Sequence, residues 1–62
     1  MRDAILQFIK DFIAKNNYPP TLKEIGDQYG IVKSDVSYHL NILRSEKKID
    51  WHSNKARTIR VL

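Results

Sequence analysis

Apolar residues recur along this chain in two rhythms, the first of them helical. Ile5, Leu6, Phe8, Ile9, Phe12 and Ile13 fall on one side, and Asp3, Gln7, Lys10, Asp11 and Ala14 on the other. That spacing predicts a first helix from about Arg2 to Lys15. Asn16-Asn17 should stop it, because Asn tolerates the left-handed backbone of a helix end. Aliphatic residues share the stripe with Phe8 and Phe12, so the aromatic pair reads as core and not as a ligand box. Tyr18-Pro19-Pro20 cannot be helical: each Pro lacks an N–H and pushes its predecessor into extended geometry. With no PxxP register, the segment reads as a stiff connector. Thr21-Leu22-Lys23-Glu24 has the spacing of a capping box and opens a second helix that runs to about Tyr29, with Leu22, Ile25 and Tyr29 inward. Gly26, in its middle, costs up to about 1 kcal/mol against Ala, and its small size predicts a close approach by another helix. Gly30 suits the left-handed residue that ends the helix, and Ile31-Val32 fill the turn. Ser34 is a good N-cap for a third helix to about Lys47. Val36, His39, Leu40 and Leu43 share one face of it, and Ser34, Ser37, Asn41 and Ser45 the opposite one. Tyr38 and Arg44 flank the polar face, and Ile42 lies at the margin.

The second rhythm is alternation. Ile49-Asp50-Trp51-His52 and Arg57-Thr58-Ile59-Arg60-Val61 each read as a strand, with Ser53-Asn54-Lys55-Ala56 turning between them. A two-stranded ribbon is unstable alone, so Ile49, Trp51, Ile59 and Val61 should pack on the helices. The expected fold is mainly α with a small β-hairpin: a three-helix winged helix-turn-helix, one domain over residues 1–62. No repeat, linker or low-complexity tract interrupts it.

Composition narrows the chemistry. A chain of 62 residues buries only roughly 60% of its unfolded surface. The absence of cysteine excludes a thiolate metal site, a disulfide scaffold and a Cys nucleophile, and it fits a cytoplasmic location. No apolar run approaches the roughly 20 residues that span a bilayer. Charges at Asp3, Lys10, Asp11 and Lys15 interrupt what would have to be the apolar stretch of a signal peptide. The net charge is +4, and its placement is uneven. Residues 1–31 carry four basic and four acidic side chains, whereas residues 32–62 carry seven basic and three acidic ones. A polyanion would be drawn to the second half.

A helix-turn-helix places its second helix in the major groove, where short hydrogen-bonding side chains read base edges. Ser34, Ser37, Tyr38 and Asn41 meet that need, and Asn41 is the best single candidate, since Asn pairs bidentately with adenine. Lys33 and Arg44 sit where phosphates would pass, while Asp35 supports the helix N-terminus. Lys55 and Arg57, at or beside the wing tip, can reach phosphate or the minor groove. His39 reads as a core histidine. Only His52 accompanies it, so no metal site is expected. No phosphate loop, nucleophile elbow or HExxH motif is present, so neither an enzyme, a small-molecule substrate nor a cofactor is expected. The expected partner is double-stranded DNA, bound in a sequence-specific manner by a transcription regulator, with a homodimer where the site is palindromic. The alternative is a protein-docking module built on the winged-helix shell, which an exposed Trp51 would favour.

Tyr18-Pro19-Pro20-Thr21, Glu24-Ile25, Gly30, His39-Leu40 with Leu43, and the tail Ile49–Leu62 with Ala56-Arg57-Thr58-Ile59-Arg60 together resemble the DNA-binding domain of LexA-type repressors. The resemblance covers essentially the whole chain. It implies a winged helix-turn-helix of a bacterial, phage or mobile-element repressor, reading operator DNA with its third helix and touching phosphates with its wing, and it matches Arg57 to the family's wing arginine. Two departures stand out. The segment from Gly30 to His39 is one residue shorter than usual in the family, so base contacts do not carry over position by position. The family's C-terminal part, with its self-cleaving Ser/Lys protease and most of its dimer interface, has no counterpart here, so damage-triggered autocleavage does not carry over.

Overall fold

The computed structural model describes residues 1–62 and contains three helices and a two-stranded antiparallel hairpin: α1 (Arg2–Asn16), α2 (Leu22–Tyr29), α3 (Lys33–Ser45), β1 (Ile49–Asp50) and β2 (Arg60–Val61). Helix α1 ends where Asn17 turns left-handed (φ 63°) and its N–H donates to the Ile13 carbonyl at 2.8 Å. The connector delivers Pro20, itself buried, to the start of α2. There the capping box forms in both directions. The Glu24 N–H donates to Thr21 Oγ1 at 3.1 Å, and the Thr21 N–H donates to Glu24 Oε1 at 2.8 Å. Gly30 (φ 67°) ends α2 as the sequence predicts.

The core is one apolar cluster drawn from every element. Ile5 and Ile9 of α1, Ile25 of α2, Val36, Leu40 and Leu43 of α3, and Ile49, Trp51 and Ile59 of the hairpin segment are all buried. Each fully buried side chain of this kind contributes about 1.5–3 kcal/mol. A chain of aromatic contacts flanks the cluster: Tyr29 meets Phe8 edge-on at 5.9 Å, Phe8 meets Phe12 in a tilted pair at 5.8 Å, and Phe12 meets Tyr18 edge-on at 5.7 Å between ring centroids. The Tyr29 hydroxyl also donates to the Ala4 carbonyl at 2.8 Å, pinning the end of α2 to α1.

Four expectations need correction. First, α3 begins two residues early, measured cap to cap. Val32, in extended geometry, is its N-cap and offers no side-chain hydrogen bond, so Ser34 lies inside the first turn. The N–H groups of Asp35 and Val36 both donate to the Val32 carbonyl at 3.1 Å, so helical bonding starts before Ser34. Second, α3 ends at Ser45. Lys47 turns left-handed (φ 62°), and the N–H groups of Lys47 and Lys48 donate to the carbonyls of Arg44 and Leu43, each at 3.0 Å. This is a Schellman motif with Lys where Gly is usual. Third, the strands are only two residues long, with Ile49 opposite Val61 and Asp50 opposite Arg60. Side chains replace the rest of the ladder. Asp50 Oδ1 accepts from the Trp51 N–H at 2.9 Å, and Thr58 Oγ1 accepts from the His52 N–H at 3.1 Å. Fourth, what approaches Gly26 most closely is a turn and not a helix.

The Ile31 N–H donates to the Gly26 carbonyl at 3.0 Å, which folds the turn back over α2. A Cβ at Gly26 would stand 2.6 Å from the Ile31 carbonyl oxygen and 3.7 Å from Val36 Cγ2. Gly26→Ala should therefore destabilise the domain by about 1–3 kcal/mol, the usual cost of overpacking, although Ala is the better helix former by up to about 1 kcal/mol. Denaturant unfolding checks this: a raised midpoint would show that the turn yields freely.

Candidate nucleic-acid interface

The buried face of α3 fixes what its other face presents. With Val36, Leu40 and Leu43 fully buried, Ser34, Tyr38 and Asn41 stand exposed on the outer side and Ser37 is half-buried. Tyr38 is 62% exposed. None of Ser34, Tyr38 or Asn41 is tied down by an internal hydrogen bond, whereas Ser45 donates its hydroxyl to the Ile42 carbonyl at 2.7 Å. At the N-terminal end, Val32 is 63% exposed. No periodicity marks this apolar position as outward-facing, because a turn valine looks like filler. Its lack of a side-chain cap leaves the Lys33 and Ser34 amides open to an incoming acceptor, whereas the Asp35 N–H already donates to the Val32 carbonyl at 3.1 Å.

Beside this face lies a cleft of about 460 Å³ between the start of α2, the start of α3 and the wing segment 53–59. It gathers Lys33, Lys55 and Arg57, three of the sequence-predicted residues, and adds Lys23. Their states differ. Lys33 and Lys55 are exposed and make no ion pair. Lys23 pairs with Asp27 at 2.8 Å, one turn along α2. The hydrogen bond that Lys23 donates to Asp27, and then the carboxylate's charge, hold the Lys23 ammonium above its ordinary pKa.

Both arginines turn inward. Arg44 Nη1 donates to the Trp51 carbonyl at 3.1 Å, and its guanidinium lies 5.8 Å from the Trp51 ring centroid. Arg57 Nη1 donates to Glu24 Oε1 at 2.9 Å and to the Pro19 carbonyl at 3.0 Å. Its guanidinium carbon sits 4.7 Å from the centroid of Tyr18. The structure thus places Arg57 in the cleft but with its guanidinium committed to α2 and the connector. Glu24 and Tyr18 are functional-site neighbours that sequence reasoning missed, since they lie 33 and 39 positions from Arg57 and nothing local marks the pairing. Trp51 is buried, 3% exposed, so the exposed tryptophan that would favour protein docking is not there. His39 is half-buried, and its Nδ1 has no hydrogen-bond partner within the protein, unlike the satisfied core histidine expected.

The Glu24 carboxyl is held below its usual pKa, first by the Thr21 N–H and then by Arg57, against a smaller opposing effect of desolvation relative to the first. A depressed carboxylate stabilises the fold fully above the usual glutamate range. The stabilisation drains as pH falls through the depressed value. The side chain is 36% exposed, so solvent screening keeps the effect small. Wild type should therefore exceed Glu24→Gln in stability near neutral pH, and the gap should close in the acid range. Denaturation midpoints of both proteins across pH check this; a gap that widens on acidification would contradict it.

Comparison with known proteins agrees with this geometry. The family model of the LexA DNA binding domain matches residues 2–58. A LexA repressor of Leptospira biflexa serovar Patoc is 34% identical over 61 residues, which cover 98% of this chain and 30% of that protein. A LexA repressor of Thermotoga neapolitana is 36% identical over 58 residues, covering 94% of this chain and 29% of that protein. A third, from Thermotoga petrophila, is 37% identical over 57 residues, covering 92% and 29%. The chain thus spans about 30% of the length of the curated relatives it matches. With its capped α2, tight three-residue turn and wing in place, the chain belongs to the LexA DNA-binding domain family.

Proposed function

We propose that this domain binds double-stranded DNA sequence-specifically, as the DNA-reading part of a bacterial transcription repressor acting in the cytoplasm. The observation that carries the reading is the outer face of α3. Exposed Ser34, Tyr38 and Asn41 lie free of internal hydrogen bonds beside a cleft rimmed by the unpaired Lys33 and Lys55. A groove-reading helix needs short hydrogen-bonding side chains flanked by phosphate-binding cations. A protein-docking face would instead be apolar, and the exposed side chains of α3 are mostly polar.

In this reading α3 enters the major groove and the wing follows the backbone. Asn41 reads adenine, Ser34, Ser37 and Tyr38 contact neighbouring base edges, and Lys33 and Lys55 meet phosphates. The open Lys33 and Ser34 amides of α3 favour a phosphate at the same end. Arg44 and Arg57 flank this surface with guanidinium groups already engaged. A palindromic operator would be bound by two copies. The LexA repressors named above are the source of the repressor reading. No catalytic step is assigned to this domain.

Selection of bound sequences from random duplex DNA tests the proposal directly; failure to enrich any sequence would remove it. On the enriched site, Asn41→Ala should cost about 1–3 kcal/mol and far less on random DNA. Lys55→Ala should weaken both alike and lower the magnitude of the salt slope by about one. Equal losses for Asn41→Ala on both duplexes would move that residue to a backbone role.

A further inference from the structure

We propose that Arg57 and Glu24 form a latch that fixes the angle of the wing against the helix-turn-helix, so that Arg57 positions the DNA-binding surface and does not itself bind phosphate. The second half of this statement rests on the DNA-binding reading above; the first half does not.

The wing needs such a tie. Only two residue pairs form its ladder, and the segment from Trp51 to Ile59 has no strand pairing. Buried Trp51 and Ile59 anchor its base, and Thr58 closes it on itself: its hydroxyl lies 3.1 Å from the His52 carbonyl and 3.2 Å from the Lys55 carbonyl. Neither feature sets how the tip lies relative to α2. Arg57 does. It adopts a left-handed backbone (φ 55°), uncommon for a residue with a side chain, and that conformation accompanies a guanidinium laid back over α2. One Nη1 bonds both Glu24 Oε1 and the Pro19 carbonyl, and Nη2 reaches Glu24 Oε2 at 3.4 Å. The planar group covers the Tyr18 ring. A planar fork suits this combination of paired oxygens and a ring face, and an ammonium does not.

Glu24 Oε1 also accepts the Thr21 N–H. One carboxylate oxygen therefore caps α2 and holds the wing. A phosphate brought to Arg57 would meet this carboxylate as well, and the pair together is electroneutral. Binding there would release little of the counterion atmosphere that rewards a bare cation. Lys55, two residues earlier and unpaired, is the wing's free charge, and the latch decides where it points.

Two conservative variants separate latch from phosphate contact. Gln serves the capping box as Glu does, so Glu24→Gln keeps α2 capped while removing the ion pair. It also removes a negative charge from the binding surface. Were Arg57 a phosphate contact, Glu24→Gln would free it and tighten binding. The latch predicts weaker binding instead, by roughly two- to tenfold, the range a partly exposed ion pair with a stacked guanidinium holds. Arg57→Lys keeps the charge and loses the fork; it should weaken binding to a similar extent. In the free protein, amide hydrogen exchange or backbone order parameters over residues 53–58 should loosen in both variants, with α1 and α3 unchanged. An unchanged wing in either variant, or tighter DNA binding by Glu24→Gln, overturns the proposal. If the wild-type domain binds no DNA, the functional reading falls, and the wing measurement in free protein decides the latch alone.

Discussion

With the Ile31 carbonyl oxygen only 2.6 Å from where a Cβ at Gly26 would stand, the turn between α2 and α3 has almost no freedom. Its backbone lies against α2, its Ile31 N–H is spent on the Gly26 carbonyl, and Gly30 supplies the left-handed step that starts the reversal. Those three conditions set where Val32 lies and so where α3 begins. From that start the helical period does the rest. Val36, Leu40 and Leu43 go to the shared core, which fixes the rotation of α3 about its own axis, and the outer residues follow without any interaction of their own. The wing is then built onto the side of α3 that Ile49 and Trp51 can reach.

The arginines around the wing differ from two of the cleft lysines. Arg44, Arg57 and Arg60 all make bonds within the protein, to the Trp51 carbonyl, to Glu24 and to Asp50 at 3.3 Å. Lys33 and Lys55 make none. This follows from their chemistry: a rigid fork of donors loses little freedom per bond, whereas a flexible, strongly hydrated ammonium gains little from an exposed pair. This leaves Lys33 and Lys55 as the unpaired charges at the cleft, where Lys23 is held by Asp27, and the arginines as internal ties around the wing. It also shows that charge placement along the sequence says which half carries the excess of cations, but not which of them are already bonded within the protein.

What the sequence revealed was local. The capping box at Thr21 and Glu24, the left-handed ends at Asn17 and Gly30, and the sidedness of α1 and α3 each depend on residues within a turn or two, and all appear as read. Errors arose where a competing local preference or a distant partner decided. Ser34 is a better cap than Val32 by side chain, yet the backbone bonding of α3 starts at the Val32 carbonyl. The alternation of residues 49–52 and 57–61 is real in its inward and outward sense, as Ile49, Trp51 and Ile59 show. Yet the hydroxyl of Thr58 and the carboxylate of Asp50 capture N–H groups that longer strands would have shared. The Glu24–Arg57 pair joins residues that no periodicity connects. It became visible only when the fold brought the connector, α2 and the wing together.

The two faces of α3 are independent in one further respect. Ser34, Tyr38 and Asn41 make no hydrogen bond inside the protein, while the residues that hold the helix in place are all on the other side. Substitutions at such surface positions usually change stability by less than about 0.5 kcal/mol. The scaffold is therefore tolerant on its outer face: these three positions can drift, or be varied together in combinatorial libraries, without a compensating change in the core.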